Sequence, residues 1–272
     1  MISNRQLSLC FVLLFAAFFV VDRPASAQIS GKTTGETVRT RPDPELDPLG
    51  VRVGSMRMYP RIGIYGLYND NIFAGENTRV DDIALILRPI IEMESEWTRH
   101  ELLIFAGADF AWHNDFPSED YEEYTLQAQA TIDITRASNF IVLGSWQAIT
   151  EARGDPDSRQ FSAEPTKYDQ FDVNGQFNQE FGRFTWSLGG YFRRVDYKDN
   201  ISITGDPINN QDRNRDVYEV NTRLDYEFQQ DVGLFVDFIY NWRRYDEDVD
   251  DFGFTRDSEG FAITGEIGRA HV

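Results

Sequence analysis

The sequence predicts an all-β fold: about ten long antiparallel strands closed into a transmembrane barrel of the outer-membrane type. Three observations predict it. Long segments alternate apolar and polar residues with a period of two. The connections between them run long, short, long, short to the end of the chain. After an N-terminal export signal, no stretch approaches the ~18 apolar residues that a membrane helix needs. A chain that then spans a membrane must do so as a closed barrel, which satisfies every backbone group in lipid.

At the N-terminus, Arg5 precedes an apolar run over residues 7–21, and Ala25-Ser26-Ala27 offers a small-x-small cleavage pattern. Residues 1–27 are therefore expected to be a cleaved secretory signal peptide. Cys10 is the single cysteine and lies inside that run, so the mature chain offers no thiol for a disulfide, a metal or a lipid. Removing the signal leaves 24 basic against 44 acidic residues, a net charge of −20. Such a balance argues against a nucleic-acid partner. Residues 28–55 contain GKTTGE and RPDPELDPLG without periodicity, and are expected to form a flexible periplasmic segment ahead of a barrel over 56–272.

The alternating segments are 58–68, 83–97, 101–113, 123–135, 140–150, 168–181, 184–195, 217–228, 232–244 and 260–267. Most exceed the five or six residues usual in globular strands and approach the ~9–11 that cross a tilted bilayer. Their apolar positions fall on one parity: Met93 and Trp97, then Leu102, Ile104, Phe110 and Trp112. The series continues through Leu126, Ala128, Ala130 and Ile132, then Phe171, Val173 and Phe177. It ends with Trp186, Leu188 and Phe192, Leu224 and Tyr226, and Leu234, Val236 and Phe238. Trp97, Trp112, Phe181, Phe184, Phe228, Tyr240 and Trp242 stand near strand ends, where aromatic girdles mark membrane interfaces. The short connections lie near 98–100, 136–139, 182–183 and 229–231, and the long ones at 69–82, 114–122, 151–167, 196–216 and 245–259. A soluble sandwich has no reason to sort loop length by alternate hairpins.

The opposite parity supplies the candidate site. Glu92, Glu94, Glu96, Gln127, Gln129, Asp172, Asn174, Gln176, Asn178 and Asp225 are expected to line an aqueous lumen, with Arg223 and Arg243 among them. Amides and carboxylates hydrogen-bond sugar hydroxyls, and a negative lumen favours cations. The same residues could instead hydrate a closed interior, the arginines pairing with the acids to plug it. His113, near Asp109 and Asp115 and followed by Ser118, raises a hydrolase reading that nothing in the spacing supports. Asp246, Glu247, Asp248, Asp250 and Asp251 form an acidic cluster without EF-hand spacing, expected to be a solvated loop in which Arg256 pairs with Asp257. No catalytic residue, cofactor or metal is expected.

Over residues 41–73, RPDPELDPLGVRVGSMRMYPRIGIYGLYNDNIF resembles the start of the second putative beta-barrel porin family. TRHELLIFAGAD, EARGDPDS, EPTKY, NNQDRNRDVYE and RRYDEDVDDFGFTRDSEGF echo it in order along nearly all the mature chain. The resemblance implies an outer-membrane barrel whose relatives are often encoded among exopolysaccharide or capsule functions, and so a role in polysaccharide export or envelope permeability. It transfers no catalytic residue. The partners it implies are outer-membrane lipid, the barrel-assembly machinery, and polysaccharide or small polar solutes. The final IGRAHV resembles translated sequencing adapter, so the chain is expected to be a C-terminally truncated fragment of a barrel with more strands. Three functions stay open: a porin-like channel, a narrow structural or surface-binding barrel, and an outer-membrane hydrolase.

Overall fold

A computed structural model describes residues 48–269 except Thr78, Gln160, Gln230 and Asp231. The expected signal peptide, most of the 28–55 segment and the end of IGRAHV lie outside the described residues. One antiparallel sheet carries β1 (Val51–Val53), β2 (Met56–Asn69), β3 (Asp82–Ser95), β4 (Glu101–His113), β5 (Tyr121–Thr135) and β6 (Ser138–Thr150). It continues through β7 (Lys167–Phe181), β8 (Phe184–Tyr197), β11 (Arg215–Gln229), β12 (Val232–Tyr245) and β13 (Ser258–Arg269), each paired with the strand before it in this order. Two short strands, β9 (Asn200–Ile201) and β10 (Pro207–Ile208), pair with each other inside the connection between β8 and β11. Among the described residues no pairing joins β13 back to β2.

The expected alternation of connections is present. Gly182 and Arg183 alone separate β7 from β8, and Gly182 takes φ +66, a value that suits glycine and the tight turn between paired Phe181 and Phe184. At the other end every connection is long. Two corrections follow. The sheet begins at Val51 rather than at residue 56, because residues 51–53 turn back at Gly54 and pair with Met56–Met58. Most strands also run one or two residues farther at an end than alternation suggests, since ladder bonding continues after the apolar residues stop, as with Arg215↔Tyr245, whereas β3 ends at Ser95, short of the expected Trp97.

Register divides the sheet into two faces. Ile62 opposes Pro89, Leu87 opposes Phe110, Ile104 opposes Ala128, Leu126 opposes Trp146, and Phe177 opposes Leu188, so one face is apolar across every strand. Among the described residues nothing covers it: Ile62 is 74% exposed, Leu126 51% and Phe261 72%. Aromatic pairs mark both margins of this face. Phe184 and Tyr226 meet at 4.5 Å near the short turns, and Tyr218 stacks on Trp242 at 5.1 Å near the long loops. From Phe228 to Tyr218 the strand climbs about 33 Å at ~3.3 Å per residue, and a tilt of ~40° leaves about 25 Å, the height of an outer-membrane apolar band. No helix of the described residues is long and apolar enough to cross a membrane.

What is buried is mostly polar. Glu119, Glu151, Arg153, Ser162, Thr166, Asn210, Asp212 and Arg213 are all nearly inaccessible, whereas the buried apolar side chains are few: Ile72, Ala84, Ile86, Ala111 and Val195. This inverts the distribution of a soluble domain, in which charged side chains are seldom fully buried.

Candidate functional site

The twelve candidate residues share one face. Each strand member has the parity opposite to its apolar neighbours, and register carries that parity across the sheet, as in Tyr59↔Glu92, Phe105↔Gln127, Ser145↔Asp172 and Ser187↔Arg223. Glu96 lies just beyond β3 and joins the same face by accepting a hydrogen bond from Arg57 Nε at 2.9 Å.

This polar face falls into sectors. Across β2–β4 it is charged and paired: Arg61 bonds Glu92, Tyr59 donates to Glu94 at 2.5 Å, and Arg88 Nη2 donates to Asp109 at 2.8 Å. Across β5–β8 it is mainly amide. Gln176 donates to Asn178 Oδ1 at 2.6 Å, Asn178 donates to Asn139 at 2.8 Å, and Ser187 donates to Asn178 at 2.8 Å. Gln127 sits opposite Ser145, Gln129 opposite Leu143, and Asn174 opposite Tyr191. Within this sector the Asp172 carboxylate accepts from Gln170 at 2.7 Å, Tyr191 at 2.6 Å and Arg193 at 2.6 Å, leaving it fully engaged. Across β11–β12 charge returns, with Asp225 held by Arg223 Nη2 at 2.7 Å.

Parity also puts Arg57, Arg61, Arg88 and Arg193 on this face, which the acid-and-amide set omits. The signal was available, since these arginines alternate with Met58, Ile62, Leu87 and Phe192. They neutralise much of the expected acidity. The plug suggested for Arg223 and Arg243 takes another form. Arg223 bonds Asp225 two positions along its own strand and stacks over Phe235 at 3.9 Å, while Arg243 Nε is buried without a hydrogen-bond partner. Residues two apart share a face, so the nearest acid captures the guanidinium before one on a more distant strand can.

Sequence reasoning missed a second site. The long connections are not independent solvated loops; ion pairs and an edge-on ring pair chain all five together. Phe73 of the first meets Phe116 of the second edge-on at 5.2 Å. Glu119 of the second forms a buried bidentate pair with Arg153 of the third, at 2.9 and 2.6 Å. Arg153 also donates to the Ser162 carbonyl at 2.7 Å. Glu151 of the third pairs with Arg213 of the fourth, whose guanidinium lies 3.8 Å above the Tyr197 ring. Arg159 of the third bonds Asp251 of the fifth at 2.8 Å. Asp82 and Tyr197 belong to the polar face by register and take loop partners: Asp82 accepts from the N–H groups of Asp115 and Phe116, and Arg213 lies over the Tyr197 ring, so these loops lean over the end of that face.

The acidic cluster takes part in this cap. Asp246 accepts from Arg194 Nη1 at 2.6 Å, and that hydrogen bond holds its carboxyl below the usual range. Asp250 accepts from the backbone N–H groups of Phe254 and Phe252 and from Arg256 Nε, each at 2.9 Å. The Phe254 N–H foremost, then Arg256, lowers the Asp250 carboxyl against a burial that would raise it. The expected Arg256–Asp257 pair does not form; Asp257 lies 3.8 Å from Arg244 instead. Local sequence could not reveal these partners, because Arg194 and Arg159 lie 52 and 92 residues from theirs. His113 and Ser118 take separate partners: His113 Nδ1 is 3.4 Å from Asp120, and Ser118 donates to Glu119 at 3.4 Å. They do not form a nucleophile–base pair.

A solved structure, "Copper transporter OprC", is similar with a TM-score of 0.46 at 10% identity, over 78% of this chain and 37% of that one. This chain thus spans little more than a third of that protein's length. No curated protein matches the sequence. The family model described as putative beta-barrel porin 2 matches residues 43–267, which include nearly every described residue and both faces of the sheet. The chain belongs to the putative beta-barrel porin 2 family and is an outer-membrane β-barrel protein.

Proposed function

We propose that the protein is a non-enzymatic, porin-like channel for small polar solutes, its polar face lining an aqueous lumen. The observation that supports this best is the inverted distribution of side chains, with an exposed apolar face on one side and, on the other, a face that carries most of the charged and amide side chains of the strands. Hydrocarbon satisfies the first and water the second. The amide sector around Gln127, Gln176 and Asn178 suits hydroxyl-rich solutes, and the flanking ion pairs tune charge selectivity. A role beside exopolysaccharide or capsule export accords with this lining. In this reading a cleaved signal exports the chain, the barrel-assembly machinery inserts it, and outer-membrane lipid surrounds it.

Planar-bilayer recording of the purified protein tests the proposal. We expect stepwise conductance with cation preference, and Glu92→Gln together with Glu94→Gln should reduce that preference. A silent bilayer, with no solute flux into loaded vesicles, would refute the channel. The ion-paired cap over the polar face favours a second reading, a narrow barrel that presents its loops to a surface partner. Deletion would then leave permeability unchanged while altering attachment of envelope polysaccharide.

A further inference from the structure

The loop cap carries a half-open hollow of about 200 Å³ bounded by Asp157, Arg159, Arg213, Phe252 and Arg256. Its position on the third, fourth and fifth long connections separates it from the sectors of the polar face. Each guanidinium already has a carboxylate: Arg213 has Glu151, Arg159 has Asp251, and Arg256 has Asp250. The hollow therefore presents hydrogen-bond donors without surplus positive charge.

Asp212 explains how those donors are held. Its side chain is almost fully buried, and neither carboxylate oxygen has a hydrogen-bond partner among the described residues. Arg159 Nη2 lies 3.8 Å from it and Arg256 Nη2 4.0 Å, close enough for Coulomb attraction and too far for a hydrogen bond. One buried carboxylate thus draws two guanidinium groups together while leaving their remaining N–H groups unused. Beside them Phe252 stands 72% exposed, an aromatic ring with no core to fill. Planar donors, an acceptor in Asp157 and an open ring face are what a polyhydroxylated ring requires, the hydroxyls on the fork and the C–H face on the aromatic. The small volume suits one ring rather than a long chain, since drug-sized ligands occupy ~300 Å³ or more.

We infer that this hollow is a binding site for a single neutral sugar ring, such as the terminal residue of a surface glycan. The inference does not depend on whether the polar face conducts. The test is capture of the full chain, in detergent micelles, on an array of neutral glucose, galactose and mannose oligosaccharides, with uronate oligomers and inorganic phosphate alongside. Retention on at least one neutral glycan is expected, unaffected by about 0.5 M salt because no net charge is matched. Phe252→Ala and Arg256→Gln should each weaken it about five- to tenfold. Limited proteolysis should show the cap intact in Phe252→Ala, whose ring is exposed. No neutral glycan retained, equal retention by Phe252→Ala, or retention of uronate or phosphate alone with release by salt would each overturn the inference.

Discussion

At the residue scale, the buried pairs of the loop cap decide the most. Arg153 and Glu119 are each less than a tenth exposed, and Arg153→Ala would leave the Glu119 carboxylate buried and uncompensated. A loss of ~3–5 kcal/mol is expected, read as trypsin cleavage of the long loops under conditions that spare the parent. Arg153→Met combined with Glu119→Gln should recover part of it, since both charges then go together. Asp250 adds a pH signature. Its carboxyl is lowered in the folded loop, so the unfolded loop binds protons more readily. The stabilisation is fully present above the ordinary carboxylate value of ~4 and is lost as pH falls through the lower folded value. Protease resistance of the last long loop should therefore hold from pH 8 to 5 and weaken below about 4; loss at neutral pH would contradict it. Gly189 is a third case. A Cβ there would meet Asn221 Oδ1 at 2.1 Å, and Asn221 lies across the glycine on the polar face. Because Oδ1 is the free end of a side chain that can turn aside, Gly189→Ala should cost no more than ~1 kcal/mol in urea unfolding, and Asn221→Ala in the same chain should remove that cost.

At the element scale, each long strand is a two-sided device whose sides meet different solvents. Two neighbouring residues of β5 separate these solvents in one experiment. Leu126 is on the apolar face and Gln127 on the polar one. Leu126→Arg should destabilise the vesicle-folded protein by ~2–4 kcal/mol, whereas Gln127→Arg should change it little. Equal effects would mean that hydrocarbon does not contact the apolar face. These strand assignments were legible because a period of two needs only the sequence itself, and aromatic residues such as Phe184 and Trp242 mark its ends. Strand limits were less legible. β1 carries the ladder past Gly54, and β11 carries it to Arg215, through backbone bonds that ignore side-chain polarity.

At the scale of the whole molecule, the described residues hold only a small apolar core, and their most buried side chains are mainly polar, with Asn210, Thr166 and Asp212 beside Val195. The apolar face is instead the surface lipid would cover, and the cap of long loops supplies the ordered interior. Composition hinted at this, since 14% aromatic residues accompany a net charge of −19. The order of the long strands and the parity that puts Glu92 and Arg243 on one face follow from sequence alone, because they depend on neighbours one or two positions away. Which acid holds which arginine was decided only by tertiary structure. Asp246 meets Arg194, Asp251 meets Arg159, and Glu151 meets Arg213 across whole strands and loops. An ion pair is chosen by distance in space, and no local periodicity encodes which distant loop will fold over the sheet to provide the partner.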